Sequence, residues 1–156
     1  MKMIDIGAKP KTERVAVARG FVAMSRATVA RVRRGDVEKG DVLAAARLAG
    51  VMAAKKTPDL VPLCHPIALS AVDVEARPGP GGVEVQATVR TVDRTGVEME
   101  ALAAVTAGCL TVYDMLKRYE RGMRIEAVEL LHKSGGRTGD WTREPARRRP
   151  ARRARK

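Results

Sequence analysis

Cysteine, histidine and aromatic residues are scarce in this chain. Among its 156 residues are two cysteines and two histidines, and aromatic residues make up 3%. So few thiols form no disulfide framework, and the cysteines and histidines lack the spacing of a zinc site. We therefore expect reduced thiols and no structural metal. The shortage of aromatic rings, on which unpaired bases stack, also argues against sequence-specific recognition of RNA.

Long apolar stretches are absent as well. The longest runs without a charged residue, such as Ala101–Tyr113, are too short to cross a bilayer. Residues 1–19 carry charges throughout, unlike a signal peptide. We therefore expect a cytoplasmic protein with no membrane contact. At 45% hydrophobic residues, the chain can nevertheless build the core of one domain.

The net charge of +12 is concentrated at the C-terminus. Residues 143–156 contain eight basic residues and one acidic residue, whereas residues 1–142 contain 22 basic and 17 acidic residues. Prolines and dense like charge oppose folding, so we predict a single domain over residues 1–142 and a basic disordered tail over residues 143–156. Such a tail suits weak, nonspecific contact with nucleic acid. The moderately basic body suits a phosphorylated small molecule.

The order of strand-like and helix-like patterns predicts an α+β fold. A hairpin, rather than successive β-α-β units, separates the predicted helices, which favours an antiparallel sheet with helices packed on one face, in a ferredoxin-like arrangement. The first predicted elements are an N-terminal arm at residues 3–11, to which Arg14 is assigned, and a strand from Arg19. Two helices follow, one over 28–34 that ends at Gly35 and one over 41–56 that is capped by Asp41. The remaining elements are strands over 68–77 and 82–92 joined by a loose glycine-rich loop, a long helix over 96–120, and a strand over 124–132.

Two prolines enclose a Cys-His pair in the segment Val61–Ile67. Proline favours extended geometry at the residue before it, so the segment should be rigid and extended. Side chains alternate in an extended chain, which places Cys64 and His65 on opposite sides and argues against a nucleophilic couple or a shared metal. His65 remains a candidate proton carrier or anion contact, and the alternative is a buried structural histidine.

Polar residues interrupt the long predicted helix. Asp114 and Lys117, at spacing i and i+3, can face each other as a proton-transfer pair, although an ordinary surface pair is the commoner outcome. Glu100 lies 14 residues before Asp114, or about 21 Å along a straight helix, too far to share one reacting centre. Antiparallel pairing of two copies of this helix, which is rich in small residues, would bring them together. This spacing predicts a site at a subunit interface.

Two further cationic segments could meet an anion. Lys39 precedes the N-terminus of a predicted helix, which attracts negative charge, although a solvated turn lysine would be more common. The segment Lys133–Asp140 has the glycines, hydroxyls and cations of a phosphate cradle. Its residue order is not that of a Walker A loop, so it also suits a flexible turn.

Together these segments resemble the MoaC family of cyclic pyranopterin monophosphate synthases, over nearly all of residues 3–140. Seven blocks in the right order make the resemblance specific. They are Met3-Ile4-Asp5, Lys39-Gly40-Asp41, Thr57-Pro58-Asp59-Leu60, Leu63-Cys64-His65-Pro66, Gly96 to Leu102, Tyr113-Asp114-Met115 with Lys117, and Lys133-Ser134-Gly135-Gly136.

The resemblance implies a phosphorus-oxygen lyase of molybdenum cofactor biosynthesis, with residues 1–142 as its catalytic domain. It would convert 3′,8-cyclo-7,8-dihydroguanosine triphosphate into cyclic pyranopterin monophosphate and release pyrophosphate. No cofactor is implied, with Mg²⁺ an optional counterion of the triphosphate. A homohexamer, a trimer of dimers with shared sites, is also implied.

The resemblance further implies a role for individual side chains, without separating acid from base. The catalytic residues would be Asp114, Lys117 and Lys39. The substrate contacts would be Leu63, Cys64, His65, Met99 and Glu100, with Glu98 at the guanine-derived ring. Arg14 and Lys133 would face the triphosphate.

Two other functions fit parts of the sequence. A basic RNA-associated module would depend on the arginine-rich tail, which the family pattern does not require. An inactive nucleotide-binding homologue would lack catalytic positions, but each expected position carries a suitable residue. Truncation after Thr142 separates the enzyme from the RNA-associated module.

Overall fold

A computed structural model describes residues 1–144 of the chain. Within these residues, five strands form one antiparallel sheet in the order β2-β3-β1-β4-β5, with four helices packed on it. The predicted α+β class is confirmed, and the first four strands follow the ferredoxin-like order. The elements are β1 (Thr12–Ala23), α1 (Arg26–Arg34), α2 (Val42–Ala54), α3 (Thr57–Leu60), β2 (Leu69–Gly79), β3 (Gly82–Asp93), α4 (Glu98–Leu116), β4 (Arg124–Ser134) and β5 (Trp141–Thr142).

The core lies between the sheet and helices α2 and α4. Alternate residues of β1 and β3 are buried against the helices, as a strand covered on one face requires. Small residues let the layers approach closely, since a Cβ added at Gly20 would lie 2.7 Å from Cys109 Sγ, and one at Gly108 2.8 Å from Val85 Cγ1. Larger side chains at these glycines would therefore push α4 away from the sheet.

Helix α4 runs from one end of the sheet to the other. Its N-terminus follows β3, whose last residue pairs with Thr12 at the start of β1. Its C-terminus leads to β4, which begins opposite Ala23 at the end of β1. The helix has 19 residues, which span about 28 Å at 1.5 Å per residue. Side chains at its two ends therefore lie in separate regions of the molecule.

Several predicted boundaries are wrong. Strand β1 begins at Thr12, so Arg14 lies within the sheet and not in an arm. Apolar residues on both faces of its first half, such as Val15 and Ala16, obscure the period of two that marks a strand. The long helix is shorter than predicted, because it ends at Leu116 with Lys117 as its C-cap.

Two connecting segments differ from their predicted form. The β2–β3 connection is not loose, because Gly79 pairs with Gly82 and only two residues form the turn. Gly81 adopts φ 78° there, a conformation that glycine tolerates. The proline-enclosed segment is not extended throughout, since Cys64 N donates to Val61 O at 2.9 Å and closes a turn.

Among the described helices, α4 alone has the length and apolar composition to cross a membrane, and half of that stretch is buried inside the fold. Its packing against β1, β3 and β4 accounts for part of the buried half. Of the predicted tail, residues 145–156 lie outside the described part of the chain. Arg143 lies against the sheet, where its Nε donates to Leu130 O at 2.7 Å and lies 3.2 Å from Glu129 Oε2.

Candidate active site

Asp114 is held between two lysines at the C-terminal end of α4. Its Oδ2 accepts a hydrogen bond from Lys39 Nζ at 2.6 Å, and its Oδ1 lies 2.8 Å from Lys117 Nζ. Hydrogen bonds from Lys117 and Lys39 lower the pKa of Asp114 to about 2, and Asp114 in turn raises the pKa of Lys117. The three side chains are about half exposed. The site therefore presents an ionised carboxylate and a charged ammonium group to solvent at neutral pH.

Separate elements bring these three residues together. Asp114 and Lys117 lie side by side at the end of α4, because residues three apart in a helix lie on the same face. Lys39 arrives from the connection between α1 and α2, just before the N-cap residue Asp41, whose side chain accepts from Leu43 N and Ala44 N at 2.9 Å each. The sequence predicted the local pair, and the tertiary structure adds Lys39 to it.

A buried carboxyl group lies near the other end of α4. Glu100 is only 2% exposed, and its Oε1 accepts from Cys64 Sγ at 3.6 Å. Its Oε2 is also buried and has no hydrogen-bond partner within the described residues. Burial raises the pKa of Glu100, and burial together with the Glu100 carboxyl raises the pKa of Cys64 to about 11. The thiol therefore stays protonated and donates to the carboxyl group.

The other predicted substrate contacts flank this carboxyl group. Leu63 and His65 adjoin Cys64, with Leu63 exposed and His65 half-buried. Glu98 and Met99 belong to the first turn of α4. The Glu98 carboxylate lies close to Gly96 at the N-terminus of α4, where a Cβ added to that glycine would collide with it.

A basic cavity of about 560 Å³ opens beside the same end of α4. Among the described residues, four cationic side chains and no carboxylate line it: Lys9, Arg14, Arg94 and Arg137. Nε of Arg14 and Nε of Arg94 are buried without a hydrogen-bond partner among the described residues. Such donors favour an anion.

The segment predicted to form a phosphate cradle closes one side of this cavity. Gly136 has φ 80°, and a Cβ there would collide with the guanidinium of Arg14. Lys133 Nζ donates to Thr138 Oγ1, and Thr138 lines the cavity. The structure thus places both predicted triphosphate residues, Arg14 and Lys133, in or beside the cavity.

Sequence reasoning missed Lys9 and Arg94 as members of this basic cavity. The signal for Arg94 was its position between a strand and a helix N-terminus, where anions often bind. Lys9 offered no comparable signal, because only the folded arm places it near Arg14. Among the described residues, no group of three or more His, Cys, Asp or Glu side chains could hold a metal ion.

An apolar groove of about 340 Å³ lies between the two polar regions. It follows the exposed side of α4, where Leu110 is 55% exposed, and includes Leu60, which is 63% exposed. Ala103 and Ala107 keep the middle of the groove shallow. A second apolar helix could therefore approach α4 closely along this line.

A family model described as "MoaC family" matches residues 3–136, which include the Asp114 group, Glu100, the groove and most of the residues that line the basic cavity. The chain belongs to the MoaC family. A relative from Thermomicrobium roseum is 54% identical over 153 residues, which cover 97% of this chain and 92% of the relative. Relatives from Roseiflexus sp. and Cereibacter sphaeroides are 55% and 57% identical over 145 and 139 residues. The Roseiflexus alignment covers 92% of this chain and 92% of that relative. The Cereibacter alignment covers 88% of this chain and 87% of that relative. All three relatives are named cyclic pyranopterin monophosphate synthase.

Family membership explains why seven separated blocks occur in one order. Every predicted site residue lies within the matched range of 3–136. The fold gathers them into two groups at opposite ends of α4, with Lys39, Asp114 and Lys117 at one end and the remainder at the other. Glu100 and Asp114 remain about 21 Å apart along the helix axis, as their spacing requires.

Proposed function

We propose that this chain is a cyclic pyranopterin monophosphate synthase of molybdenum cofactor biosynthesis. It converts 3′,8-cyclo-7,8-dihydroguanosine triphosphate into cyclic pyranopterin monophosphate with release of pyrophosphate. The arrangement that carries the proposal is Asp114 held between Lys39 and Lys117, at 2.6 and 2.8 Å. Its relatives at 53–57% identity bear the name of this activity.

Proton transfer is the task of the lysine-carboxylate group. Opening the purine ring, closing a pyran ring and cyclising a phosphate each move protons, which positioned side chains accelerate. Asp114 raises the pKa of Lys117, so Lys117 enters the reaction as an ammonium ion. It can then donate a proton or stabilise negative charge on an intermediate. Lys39 is the second proton-transfer residue, on the opposite oxygen of Asp114.

The buried carboxyl group binds the guanine-derived ring. The unpartnered Oε2 of Glu100 can exchange a hydrogen bond with a ring nitrogen, which would satisfy a buried polar atom. Cys64 holds the other oxygen, which leaves Oε2 in a defined direction. Glu98 supports the ring from the same turn. Leu63, His65 and Met99 complete these substrate contacts.

The basic cavity receives the triphosphate and stabilises the departing pyrophosphate. Arg14 and Lys133 are the main contacts, with Arg94 and Arg137 adding charge. Arginine can bind phosphate oxygens with two hydrogen bonds at once, which suits a leaving group with developing charge. No cofactor takes part in this proposal, and Mg²⁺ enters only as a counterion of the triphosphate.

Each active site is completed by two copies of the chain. The proton-transfer group and the substrate-binding group lie at opposite ends of one α4, too far apart for a single small substrate. Antiparallel pairing of two α4 helices along the apolar groove would join one group from each chain and cover Leu60 and Leu110. We propose that such dimers assemble further into the homohexamer, a trimer of dimers, and that the enzyme acts in the cytoplasm.

Turnover of the purified protein on the cyclic GTP derivative tests the activity. The parent should yield the pterin product and pyrophosphate, whereas Asp114→Asn and Lys117→Ala should lower kcat by about 10²-fold or more, as expected for loss of a proton-transfer residue. Light scattering checks that each variant keeps the parent's oligomeric state. An oligomeric, folded parent without product would contradict the proposed activity. Full activity in both variants would contradict the roles of Asp114 and Lys117 alone.

A further inference from the structure

The position of Lys39 depends on a short connection between two helices. Residues 35–41 join α1 to α2, and Val37 anchors the connection in the core with 8% exposure. Lys39 itself is about half exposed and carries a flexible four-carbon side chain. Its backbone must therefore be held in place if Nζ is to remain 2.6 Å from Asp114 Oδ2.

Tyr119 makes a direct contact with this backbone. Its hydroxyl oxygen accepts a hydrogen bond from Glu38 N at 2.9 Å, immediately before Lys39 in the chain. Tyr119 is itself fixed to the end of α4, because its own N–H donates to Leu116 O at 2.8 Å. One side chain thus links the backbone next to Lys39 with the helix end that carries Asp114.

Neighbouring charges hold the tyrosine ring and the connection together. The guanidinium carbon of Arg31 lies 4.4 Å from the centre of the Tyr119 ring, a favourable cation-π position. Arg31 Nη1 also donates to Asp36 Oδ2 at 2.6 Å and to Asp36 O at 3.0 Å. Arg118, beside Tyr119, forms an ion pair with Glu38. Arg31 orients the ring and Arg118 adds a contact to the connection, but among residues 1–144 only the Tyr119 hydroxyl bonds the Glu38 N–H.

We propose that Tyr119 is a positioning residue that holds Lys39 against Asp114 through the Glu38 N–H. The catalytic importance of that contact rests on the proposed function, whereas the contact between Lys39 and Asp114 can be measured without substrate. Replacing the hydroxyl removes the bond to the connection but keeps the ring under Arg31. The Tyr119 hydroxyl oxygen is therefore the atom that matters for the position of Lys39.

Tyr119→Phe tests it in the free protein. Asp114 owes its low pKa first to Lys117 and then to Lys39, so a less firmly held Lys39 should raise the midpoint of the Asp114 carboxyl titration above about 2. Carbon-13 NMR of the carboxyl group follows this midpoint. Hydrogen exchange of the Glu38 amide should accelerate in the same variant, since its acceptor is lost.

A double-mutant comparison shows whether the effect passes through Lys39. Lys39→Ala should raise the Asp114 midpoint by itself, and adding Tyr119→Phe should then raise it no further. Tyr113→Phe is the matched control, because its hydroxyl donates to Arg121 O at 3.0 Å and does not touch the connection. An unchanged midpoint in Tyr119→Phe, or an equal rise in the Lys39→Ala background, would overturn the proposal.

Kinetics provide a separate measurement. Tyr119→Phe should lower kcat roughly three- to tenfold, the usual effect of losing one hydrogen bond, and leave KM within about twofold. A purely structural role would instead lower the fraction of folded enzyme without altering kcat per folded site, and that result would overturn the proposal. If the parent shows no turnover, the proposed function fails, while the Asp114 midpoint still decides the role of Tyr119.

Discussion

Lys39 Nζ lies 2.6 Å from Asp114 Oδ2, although 75 residues separate the two along the chain. Lys39 also donates to the backbone oxygen of Asp114 at 3.2 Å, so it contacts both the side chain and the end of the helix. This contact places two cations on one carboxylate at the C-terminal end of α4. Cations are favourable at that helix end, where carbonyl groups lack partners.

Two inactive variants should restore each other if active sites are shared. Asp114→Asn disables the proton-transfer group at the C-terminal end of α4, and Arg14→Ala disables the substrate-binding group near its N-terminal end. Random mixing of the two chains should recover about a quarter of parental turnover, because half of the dimers are mixed and each mixed dimer holds one intact site. Turnover is measured after subunit exchange or co-expression.

The control for this mixing experiment is Asp114→Asn with Lys39→Ala, since both changes fall in the same group. Every site in their mixed dimers contains one defect, so no activity should return. Recovery in neither mixture would show that each chain forms its own site, and would contradict the proposed pairing.

Glu100→Gln should change how stability depends on pH. Burial raises the pKa of folded Glu100 above its ordinary value of 4.5, so the folded state binds a proton more tightly than the unfolded state. The resulting stabilisation is present below pH 4.5 and is lost as pH rises through the folded pKa, at about 1.4 kcal/mol per unit of raised pKa. The Gln variant should lack this loss.

Urea unfolding of parent and Glu100→Gln between pH 4 and 8, at one fixed protein concentration, measures the difference. The free energy of unfolding of the parent should fall relative to the variant as pH rises. Parallel pH profiles for the two proteins would show that Glu100 ionises in the fold as it does in the unfolded chain.

Gly136→Ala should disturb the basic cavity. Its φ of 80° is unfavourable for alanine, and the added Cβ would displace the Arg14 guanidinium. We expect a stability loss of about 1 kcal/mol together with roughly tenfold weaker pyrophosphate binding, measured by calorimetry. Gly139→Ala is the matched control, because Gly139 also has positive φ, 63°, but no atom lies within 4 Å of its added Cβ. Equal pyrophosphate affinity in the two variants would contradict a role for Arg14 in anion binding.

Removal of the basic tail should leave turnover intact. A stop after Thr142 removes all residues of the predicted tail, and a stop after Glu144 keeps the contacts of Arg143 with β4. Both truncated proteins should retain kcat, and both should lose salt-dependent retention on RNA, since most of the excess charge is removed. Loss of turnover in both would contradict the assignment of activity to residues 1–142 and would show that the tail contributes to it.

Much of the fold could be predicted from local patterns. The alternation along β3 and the Asp41 cap of α2 depend on neighbouring residues alone, and the structure confirms both. Where Val15 and Ala16 place apolar groups on both faces of β1, the pattern fails and the strand was predicted to begin too late. Periodicity reports a strand only when its two faces differ in polarity.

Parts of the candidate site likewise depend on local sequence, and other parts depend on tertiary structure. The sequence by itself determined the Asp114-Lys117 pair, because helical geometry relates residues three apart, and it set the 21 Å between Glu100 and Asp114 that argues for two chains. Only the tertiary structure decided that Lys39 reaches Asp114 and that Arg94 joins Arg14 in one cavity. Those contacts depend on sheet register and helix packing, which bring together residues that no local spacing relates.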